Sequence, residues 1–101
     1  MAKKKTGIAA NKTAFDLMVG TFELKMNEPA KKEVWFAFKE LTSDAGKVDM
    51  LASGEAIFNT CVIEYDSEIM DNPRLFMAVC LELASKYVVA EDVEIKKKVK
   101  S

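Results

Sequence analysis

The chain has 101 residues and no histidine. That absence removes the commonest general base, the commonest metal ligand and every Ser-His-Asp arrangement. Arginine occurs once, as Arg74. Arginine is the usual reader of phosphates and base edges, so nucleic-acid recognition is not expected. Fifteen basic residues face sixteen acidic ones, so net charge gives no general attraction to nucleic acid or anionic lipid. No stretch approaches the roughly 20 apolar residues needed to span a bilayer. Met1-Ala2-Lys3-Lys4-Lys5 leads into no apolar run, so the start does not read as a signal peptide, and the expected compartment is cytoplasmic. Only two cysteines are present, Cys61 and Cys80, both on apolar helical faces. Two buried free thiols are expected; nothing marks the chain as secreted, which leaves a disulfide without support. With no catalytic constellation, no cofactor motif and no metal-ligand spacing, the residues alone describe a small globular domain that is not an enzyme.

What is present is enough for one modest core and one domain. Residues 1–13 are polar and basic and are expected to be loose; the domain spans 14–99. From Ala14 to Met26 apolar residues alternate on both sides of Gly20-Thr21. Gly-X is a two-residue hairpin loop, and the register sets Val19 opposite Phe22 and Leu17 opposite Leu24. The rival reading of residues 12–20 is a short helix ended by Gly20. Pro29 suits the first position of a helix to about Thr42, capped by Asn27 or Glu28. Its inner stripe is Ala30, Val34, Phe38 and Leu41, widened by Trp35, with Phe36 partly exposed on the outer flank. Ser43 or Asp44 caps a second helix from about Ala45 to Val62. Glu64–Asp71 reads as an acidic connector. Asn72-Pro73 starts a third helix, in which Phe76, Val79, Cys80, Leu83 and Tyr87 hold spacings typical of one buried face. Val93, Ile95 and Val99 alternate with charges, which predicts a final strand beside Phe22–Met26. The fold class is therefore α+β: an N-terminal β-hairpin, three helices and a C-terminal strand completing a small antiparallel sheet.

In the second helix, Val48, Leu51, Phe58 and Val62 make one apolar stripe at 100° per residue, with Glu55 in its middle. A carboxylate there must be paired, neutralised or covered. Pairing with Arg74 or a lysine, in a polar core that includes Asn59, is the preferred reading over a lone general acid or base. Ala52, Gly54 and Ala56 would allow a neighbouring element to approach closely. The acidic connector lacks the glycine that a calcium loop needs at its sixth position, where Ile69 stands, so it reads as a solvated turn. The terminal lysine clusters read as solubilising ends. Phe36, Met77 and Leu81, flanked by Asp66 and Glu68, are the candidate partner-binding residues, because exposed together they would make an adaptable apolar patch.

The segment from Asn27 to Lys98 resembles small proteins of tailed bacteriophages and prophages, of the kind placed among tail assembly chaperones. The matching pieces are Glu28-Pro29-Ala30-Lys31-Lys32, then Gly54-Glu55-Ala56-Ile57-Phe58-Asn59-Thr60-Cys61-Val62-Ile63, Asp66-Ser67-Glu68-Ile69 and Leu75-Phe76-Met77-Ala78-Val79. Glu55, Asn59 and Cys61 fit a family pattern of a glutamate ahead of Asn-x-Cys. Tyr65 stands where glycine is usual and Val62 where tryptophan is common. The resemblance implies a phage protein in the bacterial host cytoplasm that binds other phage structural or assembly proteins. It leaves room for a homo-oligomer, a minor virion component, or an adaptor that binds a host protein.

Overall fold

A computed structural model describes residues 3–43 and 47–89, and its fold is α+β. The elements are β1 (Lys3–Lys5), β2 (Phe15–Val19), β3 (Phe22–Met26), α1 (Lys31–Leu41), α2 (Met50–Cys61), β4 (Val62–Asp66), α3 (Ser67–Asp71) and α4 (Pro73–Tyr87). The sheet is antiparallel, in the order β1-β4-β3-β2. The β2–β3 hairpin has the register read from the sequence, Val19 opposite Phe22 and Leu17 opposite Leu24. Gly20 carries the positive φ of 63° that its loop position requires, and Thr21 does not need one, which matches a II′ rather than a I′ turn.

Two strands were not legible in advance. Lys3–Lys5, expected to be loose, is the edge strand β1 on β4. The first half of the acidic connector is β4 itself, held between β1 and β3. A register shift opposite Lys25 and Met26 leaves Ile63 as the extra residue of a bulge. The bulge lets Val62 and Tyr65, three residues apart, both face the core. Thr6 steadies it: its N–H donates to the Ile63 carbonyl at 2.9 Å, and its hydroxyl donates to the Val62 and Ile63 carbonyls. Asn27, expected as a helix cap, is a buried clamp instead. Its Oδ1 accepts from the Asn11 N–H and its Nδ2 donates to the Ala9 carbonyl, both at 2.9 Å. Among the described residues β4 and β2 flank β3 on its two sides; the expected strand over Val93–Val99 falls outside the described residues.

Leu17, Leu24 and Tyr65 form one cross-strand row facing the helices, while Asp16, Lys25, Glu64 and Lys5 form the next row, facing away with alternating sign. Opposite charges side by side on a solvated face are mildly favourable. Under the sheet, Phe58 sits edge-on to both Tyr65 and Phe76, with ring centroids 5.3 and 5.2 Å away. Such pairs add stability beyond the area they bury. Leu24, Met26, Ile57, Val62, Ile69 and Val79 complete the core.

The helix starts follow local chemistry. Asn72 Oδ1 accepts from the Arg74 and Leu75 N–H groups, with Pro73 at the first position, as the sequence indicates. For α2 the cap is Asp49, whose carboxylate accepts from the Ala52 N–H at 2.9 Å, so the helix begins later than expected. The cap position of α1 is Ala30, with no side-chain bond, and Pro29 lies just outside. No helix among the described residues is long and apolar enough to cross a membrane.

Candidate protein-binding surface

The helices α1, α2 and α4 lie side by side with α2 in the middle. Small residues on α2 bring both neighbours in. Ser53, with no exposed surface, donates its hydroxyl to the Ala37 carbonyl of α1 at 2.9 Å. Gly54 lies directly against the backbone of α4: a Cβ there would overlap the Cys80 carbonyl group and come within 2.7 Å of Cys80 Cα. The close approach expected from Ala52, Gly54 and Ala56 is therefore real at Gly54.

This packing fixes the rotation of α2, and it corrects the reading of Glu55. The buried arc runs through Ser53, Gly54, Ala56, Ile57, Phe58 and Cys61. The opposite arc holds Leu51, Glu55 and Asn59, all exposed. Glu55 is not a buried carboxylate, and Arg74 is exposed as well, so no polar core forms from Glu55, Arg74 and Asn59. The buried polar side chains among the described residues are Asn27, Ser53 and Asp66, and no buried side-chain nitrogen or oxygen lacks a partner. The apolar stripe is half right: Phe58 and Val62 are buried, while Val48 and Leu51 are exposed, because Ser53, Gly54 and Ala56 share the packed face.

α1 is rotated as well. Ala37 and Leu41 are buried, whereas Phe38, assigned to the inner stripe, is exposed, and Trp35 is 61% exposed beside Lys31 and Lys32. Among the described elements α2 is the main packing partner of α1, and it leaves Trp35 and Phe38 exposed.

The candidate partner-binding residues separate into two groups. Phe36, Met77 and Leu81 are 47%, 46% and 42% exposed. Phe36 flanks a shallow groove of about 360 Å³ with Glu40, Ala52, Glu55, Ala56 and Asn59. On α4, Val79 and Leu83 face the hairpin, and Cys80 and Ala84 follow on the side toward α2. Met77 and Leu81 come next around the helix, away from the sheet. Phe36, Leu51, Met77 and Leu81 thus share the outward face of the helical layer, with Glu55 and Asn59 between them. Asp66 does not belong there. It is 5% exposed, and its Oδ2 accepts from the Glu23 N–H at 2.8 Å, which makes it a link between β4 and β3. Glu68 is exposed on α3.

Neither thiol is poised for chemistry. Cys61 and Cys80 are free and buried, as the sequence suggests. Burial, and secondarily the charge of Glu55, pushes the Cys80 thiol up to about 12. Burial also raises Cys61, against the opposing hydrogen bond with Thr60. A protonated thiol is a poor nucleophile and a poor metal ligand. Lys3 is tied to Glu23 at 3.2 Å, which raises its ammonium pKa.

Comparison with family models gave no match, and comparison with curated proteins and with solved structures gave none either.

Proposed function

We propose that this chain acts without catalysis, by binding other proteins through the outward face of its helical layer, and that it serves phage tail assembly as a tail assembly chaperone. The observation that carries the reading is the set of exposed apolar side chains on three helices, Phe36, Leu51, Met77 and Leu81, with Phe36 at a groove that Glu55 and Asn59 also line. Flexible methionine and leucine on a helical face can adapt to an apolar segment of a partner and shield it from aggregation. The phage setting comes from the resemblance of Asn27–Lys98 described above. The protein immobilised in lysate of phage-infected cells is expected to retain tail proteins, and Leu81→Asp is expected to lose them while keeping its circular dichroism spectrum. Binding to an apolar interface should change little with salt, unlike phosphate contacts. Retention of host enzymes alone, or equal retention by Leu81→Asp, would overturn the reading.

A further inference from the structure

Among the described residues the sheet has two free edges, β1 and β2, and they are built oppositely. β1 is Lys3-Lys4-Lys5, all exposed. A second such strand laid against it would set lysine against lysine, a common defence of edge strands. β2 is Phe15-Asp16-Leu17-Met18-Val19, with no lysine, no proline and no bulge on its side. Its inward residues Phe15, Leu17 and Val19 stay only half-buried, and outward Met18 is 58% exposed. Beneath its open side lies a groove of about 370 Å³ lined by Leu17, Val19, Val79 and Leu83, with Glu82 and Lys86 at the rim.

The backbone of β2 has a defined polarity. In a two-residue hairpin the pair that closes the loop is hydrogen-bonded, so Val19, Leu17 and Phe15 direct their N–H and C=O groups to β3. Asp16 and Met18 therefore direct theirs to the free edge.

We propose that the β2 edge pairs antiparallel with β2 of a second copy of this chain, about a two-fold axis at Leu17. The strand is self-complementary in that register. Leu17 meets its own copy at the position whose backbone groups are already used by β3. Asp16 meets Met18 of the other copy, so each chain's two outward residues exchange N–H···O bonds and no carboxylate faces a carboxylate. Phe15 meets Val19, which brings the phenyl ring of one copy to the groove of the other. Glu82 and Lys86, at the rim of each groove, offer opposite charges to their two-fold mates. This is an isologous contact that closes at two copies, and a five-residue edge places it at the weak, concentration-dependent end of specific interfaces. Neither β2 nor its groove includes Phe36, Met77 or Leu81, so the contact stands apart from the function proposed above.

Sedimentation equilibrium of the full chain from low to high micromolar concentration tests it. The expected result is a monomer–dimer equilibrium that Met18→Pro, which removes an N–H directed to the free edge, weakens by at least about tenfold, while Lys4→Met on the opposite edge leaves it unchanged. Met18 directs no backbone group to β3, so Met18→Pro should keep the hairpin; Met18→Glu, which sets a carboxylate against Asp16 of the other copy, is the second variant, with the same expectation. Under mild oxidation a Leu17→Cys chain should form a disulfide with its own copy, which reports the two-fold register. A wild type that remains monomeric overturns the proposal, and so do Met18→Pro and Met18→Glu chains that dimerise like the wild type. So does a monomer whose groove accepts an added apolar strand peptide, because the edge would then be built for another chain.

Discussion

Gly54 and Glu55 are neighbours in the chain and opposites in the fold. Gly54 has no side chain and sits where the backbones of α2 and α4 come closest. Glu55 has a charged side chain and sits on the solvent face. By size and polarity Glu55 attracts attention and Gly54 does not. Burial reverses that order. In a helix whose neighbours approach to backbone contact, the smallest residue carries the packing, and a large or charged one is free to face water.

The largest effect expected from this comparison is at Gly54. Alanine there gains about 1 kcal/mol of helix propensity, but its methyl group would occupy the space of the Cys80 carbonyl. Backbone cannot rotate away as a side chain can, so α2 and α4 must separate along their whole contact. Overpacking typically costs about 1–3 kcal/mol, and a clash with main chain belongs at the upper end or above it. Gly54→Ala is expected to lose about 3 kcal/mol or more in denaturant unfolding. A loss smaller than the propensity gain would mean that the two helices are not in backbone contact.

How much of this was legible in the sequence depends on where each element's information lies. The hairpin and α4 carry theirs locally: Gly20 and strict alternation fix β2 and β3, while Asn72-Pro73 and a clean apolar spacing fix α4. β1 and β4 do not. Three lysines are poor strand formers alone, and they form a strand because β4 offers an edge from some sixty positions away, pairing Lys3 with Asp66. Glu64 and Asp66 made β4 look like a solvated turn, although their strand is held between two others. α1 and α2 were seen as helices but rotated wrongly. The small residues mark the close approach at Gly54, but the periodicity of the larger apolar side chains does not indicate that Ala37 and Ser53 face the neighbours while Trp35, Phe38 and Leu51 stay uncovered. Phe36, Met77 and Leu81 were legible because each lies beside a stripe rather than in it, whereas Asp66, chosen for its charge, proved to be a backbone-binding side chain.

Cys80 joins the two sides of the comparison, since its backbone meets Gly54 and its thiol feels the charge of Glu55. The ordinary thiol value is 9.0, and in the fold it is raised to about 12, by burial first and Glu55 second. The folded state therefore holds the proton more tightly than the unfolded chain. The resulting stability is fully present below pH 9 and is lost as pH rises from there toward 12. The steepest loss one group can give is about 1.4 kcal/mol per pH unit. Tyr87 and Lys3 are also raised and add to the alkaline loss. Cys80→Ala removes one titrating group, so its stability should fall less between pH 9 and pH 11 than that of the wild type in parallel urea titrations. Equal slopes would show that Cys80 is not held protonated by its surroundings.

The smallest expected effect is the one the sequence made look large. A buried, paired Glu55 would cost about 3–5 kcal/mol to truncate, because its partner would be left charged and uncompensated. An exposed Glu55 leaves no such debt: its carboxylate is hydrated in both folded and unfolded states, and removing it exposes no cavity. Alanine is also a better helix former than glutamate, and losing the carboxylate takes a negative charge away from the Cys80 thiol. Glu55→Ala is therefore expected to change unfolding stability by less than about 0.5 kcal/mol. Its position predicts where the change should appear instead. Glu55 lies between Phe36 and the Met77–Leu81 pair on the surface proposed to meet partners, so Glu55→Ala should alter retention of tail proteins while leaving the urea midpoint in place. A midpoint shift comparable to that of Gly54→Ala would mean that position 55 is buried after all, and the rotation assigned to α2 would have to be abandoned along with the binding face built on it.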